Sequence, residues 1–272
     1  MKDDVAGFVG SIPQHYDQSL GPLIFADYAV DIARRVAACK PARVLEIAAG
    51  TGILTRHLRD ALPSGVRLTA TDLNPPMLEI ARTKFRPVEQ VEVRPADATA
   101  LPFADASFDA VVCQFGVMFF PDKDRSYREV YRVLTPGGRY LFNIWDSHRH
   151  NPFGRIAHDV IGRFFPGDPP QFQSAPFSYR FEAAKDSLID AAFADVSAVV
   201  LQLEKDVPDP AILARGLVCG SPIIDQVHAR GGVEPEQIVA AIVQEYRREF
   251  GTGSWRMPLQ ATVISATKPA SP

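Results

Sequence analysis

The chain has only three cysteines, Cys39, Cys113 and Cys219, widely spaced and odd in number. They make neither a disulfide framework nor the paired spacing of a zinc site, so a reduced, cytoplasmic protein is expected. Also missing is any run of about twenty uninterrupted apolar residues, the length that crosses a bilayer, and no membrane span is predicted. Residues 1–10 carry Asp3 and Asp4 without a long apolar core and do not read as a signal peptide. No run of Lys and Arg stands out, and a formal net charge of −3 argues against a large electrostatic footprint on nucleic acid. Internal repeats and low-complexity linkers are absent as well. What is present suits a globular chain with a full core: 272 residues, 46% hydrophobic and 22% charged. That length fits one elaborated α/β domain or a domain with a smaller cap.

The most telling stretch is Val44-Leu45-Glu46-Ile47-Ala48-Ala49-Gly50-Thr51-Gly52, an apolar strand running into a tight glycine turn. A strand, a Gly-x-Gly turn and a following helix let a nucleotide-like ligand approach the backbone closely. A dinucleotide fingerprint needs a third glycine three residues after Gly52, where Thr55 stands instead. Glu46, inside the strand, is not a phosphate-binding feature. The turn therefore leans towards a cofactor recognised by carboxylates and backbone amides.

Residues 1–22 read as irregular, with Pro13 and Pro22. From 26 to 38, Ala29, Ile32, Ala33 and Val36 recur at helical spacing. Strands are expected at 43–48, 67–71, 91–94, 108–115 and 139–145, the fourth carrying the buried-strand run Ala110-Val111-Val112-Cys113. Between them lie a helix at 53–61, one capped by Asn74 with Pro75 and Pro76 in its first turn, and one marked by Tyr127, Val130, Tyr131 and Leu134. Pro136-Gly137-Gly138 is expected to stop the last of these. The alternation implies a doubly wound, parallel sheet. After Trp145 the rhythm changes: 151–181 is rich in Phe, Pro and Gly, followed by strands at 196–203 and 259–267 with helices at 210–218 and 234–250. The tail from Lys268 reads as frayed.

Three further positions carry chemistry. Asp72 ends the second strand about twenty residues beyond the turn, where a carboxylate can take both hydroxyls of a ribose. Asp97 follows the third strand and could accept from an exocyclic amine such as adenine N6. The fourth strand delivers Gln114 and Phe115 to the carboxyl edge of the sheet, where open α/β folds bind ligands. Each has a plainer alternative: Glu46 as a loop cap, Asp72 as a charge at a helix N-terminus, Asp97 as a turn residue. Asp109 reads as structural and Cys113 as core. His148-Arg149-His150 lacks a third ligand at metal spacing and reads as a solvated loop.

Together these residues resemble the class I S-adenosylmethionine-dependent methyltransferases, in the small-molecule branch that includes the ubiquinone/menaquinone-type C-methyltransferases. The resemblance covers roughly residues 40–145 and rests on five motifs in order: the 44–52 stretch, Thr71-Asp72-Leu73-Asn74, Ala96-Asp97-Ala98, Phe108-Asp109-Ala110-Val111-Val112, and Leu134-Thr135-Pro136-Gly137-Gly138. It implies a Rossmann-like, seven-stranded, mostly parallel sheet with an antiparallel last strand. An N-terminal segment (1–40) and insertions at 146–190 and 205–258 would cap a cofactor-binding core (41–145) within one domain. It also implies roles. Gly50 and Gly52 would admit the methionine end of the cofactor, and Glu46 would fix that loop and reach the amino group. Asp72 would hold the ribose, Leu73 and Met77 would sandwich the adenine, and Asp97 with Ala98 would read its amine. Gln114, beside Phe115, would face the methionine moiety. Ala48 stands where the family's commonest first glycine falls, so a slight loop displacement with retained binding is expected.

The expected function is methyl transfer to a small, apolar or aromatic acceptor, with oxygen, nitrogen and carbon all open. Gln114-Phe115-Gly116-Val117 replaces the Asn/Asp-Pro-Pro-aromatic motif of amide and base methylation. Some phenylalanines among Phe153, Phe164, Phe165, Phe172 and Phe177 are expected to line the acceptor pocket, with Tyr16 and Phe25 closing over the cofactor; ordinary packing is the alternative for each. His15, Tyr16, Asp146, His148 and His150 are candidate bases without a motif to choose among them. The rival functions are a cofactor-binding regulatory protein without transfer and an NAD-dependent oxidoreductase.

Overall fold

The computed structural model describes residues 7–253 and 255–270. Its strands are β1 (Arg43–Ile47), β2 (Arg67–Asp72), β3 (Val91–Pro95), β4 (Phe108–Gln114), β5 (Leu134–Trp145), β6 (Ala194–Val207) and β7 (Trp255–Thr267). They form one sheet in the order β3-β2-β1-β4-β5-β7-β6. The first five strands pair in parallel. β7 slots antiparallel between β5 and β6. The expected seven-stranded, mostly parallel sheet with an antiparallel last strand is what the chain forms.

The helices are α1 (Ile12–His15), α2 (Ala26–Ala38), α3 (Ile53–Ala61), α4 (Pro75–Thr83), α5 (Lys123–Val133), α6 (Pro152–Phe164), α7 (Phe181–Asp190), α8 (Pro210–Cys219), α9 (Ile223–Arg230) and α10 (Pro235–Phe250). Strand alternation sorts the core into two layers. Val44, Leu68, Ala110 and Val112 meet α2 and α3 through Ile32, Val36, Leu54 and Leu58. Leu45, Ile47, Val111, Cys113 and Tyr140 face the other way, onto Tyr127 and Val130 of α5 and Leu188 of α7. Burial on both faces explains why β1 and β4 read as continuous apolar runs. Asp109 ties the opposite edge together by accepting from the Ala42 and Arg43 amides at 3.0 and 2.8 Å.

Several local expectations are corrected. From residue 12 to 22 the chain is not irregular: α1 runs into a π-helix over Tyr16–Phe25. Pro22 lies inside it, and the Ala26 amide reaches back five residues to Gly21 O. A residue with no N–H removes one rung, and the wider coil accommodates the loss. The expectation for residues 1–6 lies outside the described residues. Asn74 begins α4 without a side-chain cap; its amide nitrogen donates to Asp72 and its oxygen accepts from Phe8 N. Pro136-Gly137-Gly138 lies within β5, which starts at Leu134 because Leu134 already pairs with Phe108. Lys268 is held rather than frayed, its Nζ donating to Tyr131 O and Leu134 O at 2.8 and 2.7 Å; residues 271–272 lie outside the described residues. α9 was not foreseen. The 146–190 segment divides: α7 packs on α5 and β6, whereas α6 packs on α8 and α10.

The turn after β1 has an unusual accommodation. Ala48 holds φ +53°, left-handed backbone that costs an L-residue about 1–2 kcal/mol. Its methyl fits because Gly116 faces it: a Cβ on Gly116 would stand 2.5 Å from Ala48 Cβ and 2.9 Å from Cys113 Sγ. Gly116 itself has ordinary right-handed backbone, so only space forbids a side chain there. Gly116→Ala should therefore lower stability by about 1–3 kcal/mol, and clearly less when combined with Ala48→Gly. Urea unfolding of the four proteins checks this; strictly additive effects would contradict it.

Candidate functional site

The carboxyl ends of β1, β2 and β4 and the loop after β3 open into one cavity of about 240 Å³, roofed by the N-terminal π-helix, the segment between α6 and α7, and the end of α8. The roof is seated by close contacts. A Cβ on Gly216 of α8 would meet Leu20 Cδ2 at 2.7 Å, and one on Gly220 would meet Tyr16 N at 2.8 Å. An ion pair between Lys84, after α4, and Asp17 fastens the π-helix from the sheet side.

Of the residues singled out from sequence, Tyr16, Ala48, Gly50, Asp72, Leu73, Met77, Asp97, Ala98, Gln114 and Phe115 line this cavity. Glu46 and Gly52 do not. Gly52 serves packing: a Cβ there would meet Ala81 Cβ of α4 at 3.0 Å. Glu46 lies beneath the turn, 1% exposed, on the face covered by α3, and its Oε2 has no hydrogen-bond partner among the described residues. Burial raises its pKa from 4.5 to about 8, with Asp72's charge adding and Thr55 and Lys84 opposing.

Asp72 is the centre of the polar end. One oxygen accepts from Gly50 N at 2.8 Å; the other accepts from Asn74 N at 2.8 Å and Asn74 Nδ2 at 3.2 Å. Burial raises its pKa despite these bonds. Gly50, at φ +56°, presents bare backbone to the cavity opposite Met77, whose Cε lies 3.4 Å from where a Cβ would stand. Leu73, 52% exposed, flanks the mouth. Asp97 makes the turn that its plainer reading anticipated, one oxygen accepting from Thr99 N and Thr99 Oγ1 at 2.7 and 2.8 Å. Its second oxygen has no hydrogen bond among the described residues.

At the end of β4, Gln114 Nε2 donates weakly to Phe25 O at 3.4 Å and its Oε1 is buried without a partner. Phe115 follows at φ +53°, a conformation that persists only where its surroundings enforce it. Asn143 of β5 does so, its Oδ1 accepting from Phe115 N at 3.0 Å. The Phe115 ring stacks on Trp145 at 4.1 Å and 10°.

The acceptor side is aromatic. Phe153, Phe172 and Phe177 line the cavity; Phe164 and Phe165 do not. Tyr16 and Phe25 both face it, stacked on each other at 5.0 Å. Of the candidate bases only Tyr16 reaches the cavity, and burial with the charges of Asp72, Asp17 and Glu46 holds its hydroxyl protonated. Asp146 is occupied by Gln260 Nε2 and Ser147 N. His148 packs on Phe177 at 4.4 Å, and burial lowers its pKa. Among the described residues, no cluster of His, Cys, Asp or Glu could hold a metal, and no helix is long and apolar enough to cross a membrane.

Sequence reasoning missed Phe8, Phe119, Phe120, Gln173 and Ser221 among the lining residues. They lie outside the glycine, acidic and aromatic patterns used to find the rest, and only the fold of the roof brings them inward.

A methyltransferase domain model matches residues 45–142. The chain is 41% identical over 140 residues to a demethylmenaquinone methyltransferase of Thermus thermophilus, covering 51% of this chain and 61% of that one. It is 30% identical over 212 residues to a ubiquinone/menaquinone biosynthesis C-methyltransferase of Shewanella sediminis, covering 71% of this chain and 84% of that one. The match to the first curated relatives thus spans under two-thirds of their length. In fold it is similar to the YcgJ protein of Bacillus subtilis, with a TM-score of 0.59 at 20% identity, covering 89% of this chain and 99% of that one. The chain belongs to the class I S-adenosylmethionine-dependent methyltransferases, within the family of the ubiquinone/menaquinone C-methyltransferases. That membership sets aside the oxidoreductase alternative.

The buried Glu46 carries a pH signature. Its raised pKa means that the stability associated with the protonated form is fully present below 4.5 and is lost as pH rises to about 8. Glu46→Gln, which cannot ionise, should melt closer to the parent protein at pH 5.5 and clearly above it at pH 8. Thermal unfolding at both pH values without ligand checks this, and a difference independent of pH would contradict it.

Proposed function

We propose that this chain transfers a methyl group from S-adenosylmethionine to a small, apolar or aromatic molecule. The observation that carries the proposal is one cavity with two unlike ends. The buried carboxylate of Asp72, the carboxylate of Asp97 and the bare backbone of Gly50 stand at the strand ends, and phenylalanines from the roof stand opposite.

The residues fit the donor. Its net positive methionine end suits the polar end of the cavity beside Asp72; Glu46, sealed beneath the turn and outside the lining, supports that turn. Asp72 keeps lone pairs beyond those given to Gly50 and Asn74, enough for a ribose diol. Leu73 and Met77 supply apolar faces for adenine, and the second oxygen of Asp97 beside Ala98 suits its amine. Gln114 offers a polar side chain toward the methionine. S-adenosylmethionine, when bound, supplies a methyl group already activated on a sulfonium.

The chain's contribution is then placement and exclusion of water. Holding two reactants at near-attack distance supplies on the order of 7–11 kcal/mol in favourable cases. Tyr16, held protonated, does not act as the base. The names of the relatives make a quinone-type ring the first acceptor to try, and the aromatic roof agrees with it. The acceptor atom, whether carbon, oxygen or nitrogen, is not chosen by these features.

Calorimetric titration with S-adenosylmethionine and S-adenosylhomocysteine, followed by S-adenosylhomocysteine release across quinols, phenols and amines, tests the proposal. Binding of both and turnover with at least one hydroxylated ring is expected. Binding without turnover across the panel would favour the non-catalytic alternative; no binding would overturn the donor assignment.

A further inference from the structure

Gln173 is 4% exposed, lines the cavity, and has a carboxamide that no hydrogen bond engages among the described residues. Its neighbour in the same 3₁₀ segment (Phe172–Phe177), Phe172, stacks on Phe119 at 5.2 Å and 7°. At the other end of that segment, Phe177 packs beside Trp145 at 6.2 Å and Phe153 at 5.8 Å. A primary amide set between such walls is the exception in the roof. Of the other roof side chains with a polar group, Ser221 already donates to Leu217 O at 2.8 Å, and Tyr16 carries a hydroxyl on a ring stacked against Phe25. Across the cavity, Asp72 and Asp97 each hold backbone amides.

An amide that faces the cavity without a hydrogen bond among the described residues is left to be satisfied by what enters the cavity. Gln173 offers both a donor and an acceptor, which match a hydroxyl or carbonyl on an otherwise apolar ring. A site built to bond such an oxygen discriminates against the analogue lacking it, because the site's own polar group is then left unpaired. We infer that Gln173 is the specificity-determining residue for the methyl acceptor: its carboxamide bonds a ring oxygen and so fixes which edge of the ring faces the strand ends. The inference rests on the proposed function, since it takes the aromatic end of the cavity as the acceptor's. It assigns no chemical step to Gln173, which is a positioning residue.

The test uses two probes of like shape, 1-naphthol and naphthalene, binding to the full chain with and without saturating S-adenosylhomocysteine. The wild-type protein should prefer 1-naphthol by tenfold or more. Gln173→Met, close in length but without the amide, should bring the ratio within threefold while leaving S-adenosylhomocysteine binding unchanged. Gln173→Asn, which keeps a withdrawn amide, should lie between them. It also serves if the methionine variant unfolds. A wild-type protein without the preference, or variants that retain it in full, would overturn the assignment. Failure of S-adenosylhomocysteine to bind the wild-type protein would overturn the donor reading instead, and the naphthol ratio measured without it would still decide the role of Gln173.

Discussion

The Asp72 carboxylate, accepting from Gly50 N on one oxygen and Asn74 N on the other, holds the turns after β1 and β2 together. Both turns sit at the sheet's carboxyl edge, so one buried acidic group sets the geometry of the cavity's polar end. Three hydrogen bonds offset part of the cost of burying the charge, yet burial still raises its pKa. Glu46, sealed nearby, is held towards its neutral form by the same burial, so the hydrogen-bonded Asp72 is the carboxylate that shapes the turns at this end of the cavity.

The glycine turn is solved differently from its family's commonest form. Left-handed backbone at Ala48 ordinarily calls for glycine, and the strain is tolerated because the missing side chain at Gly116 makes room for the Ala48 methyl. Two loops, one after β1 and one after β4, are thereby fitted to each other across the cavity floor. Asn143 completes the second loop by fixing Phe115, whose ring and that of Trp145 form the base on which the aromatic roof rests.

Much of this was legible in the sequence wherever a local pattern had a single physical cause. Apolar runs bounded by Gly and Pro located the parallel strands, and Ile53–Ala61 and Ala26–Ala38 were read to the residue. Asp72, Asp97 and Gln114 were singled out as strand-end residues, and the fold brings all three to one cavity. The misreadings share a cause: two prolines made the first 22 residues look irregular, but tertiary packing on α8 shapes the π-helix there. Asn74 looked like a cap and instead binds Asp72. Gln173 gave no signal, since only the fold of the roof brings it to the cavity.

In the proposed function Asp72 organises the donor site as well as the turns. Calorimetric titration of Asp72→Ala with S-adenosylhomocysteine, alongside a melting curve showing that the variant remains folded, tests this. A loss of about 1–3 kcal/mol in binding is expected, the scale of charge-assisted hydrogen bonds removed from a buried acceptor. Unchanged affinity in a folded variant would contradict it.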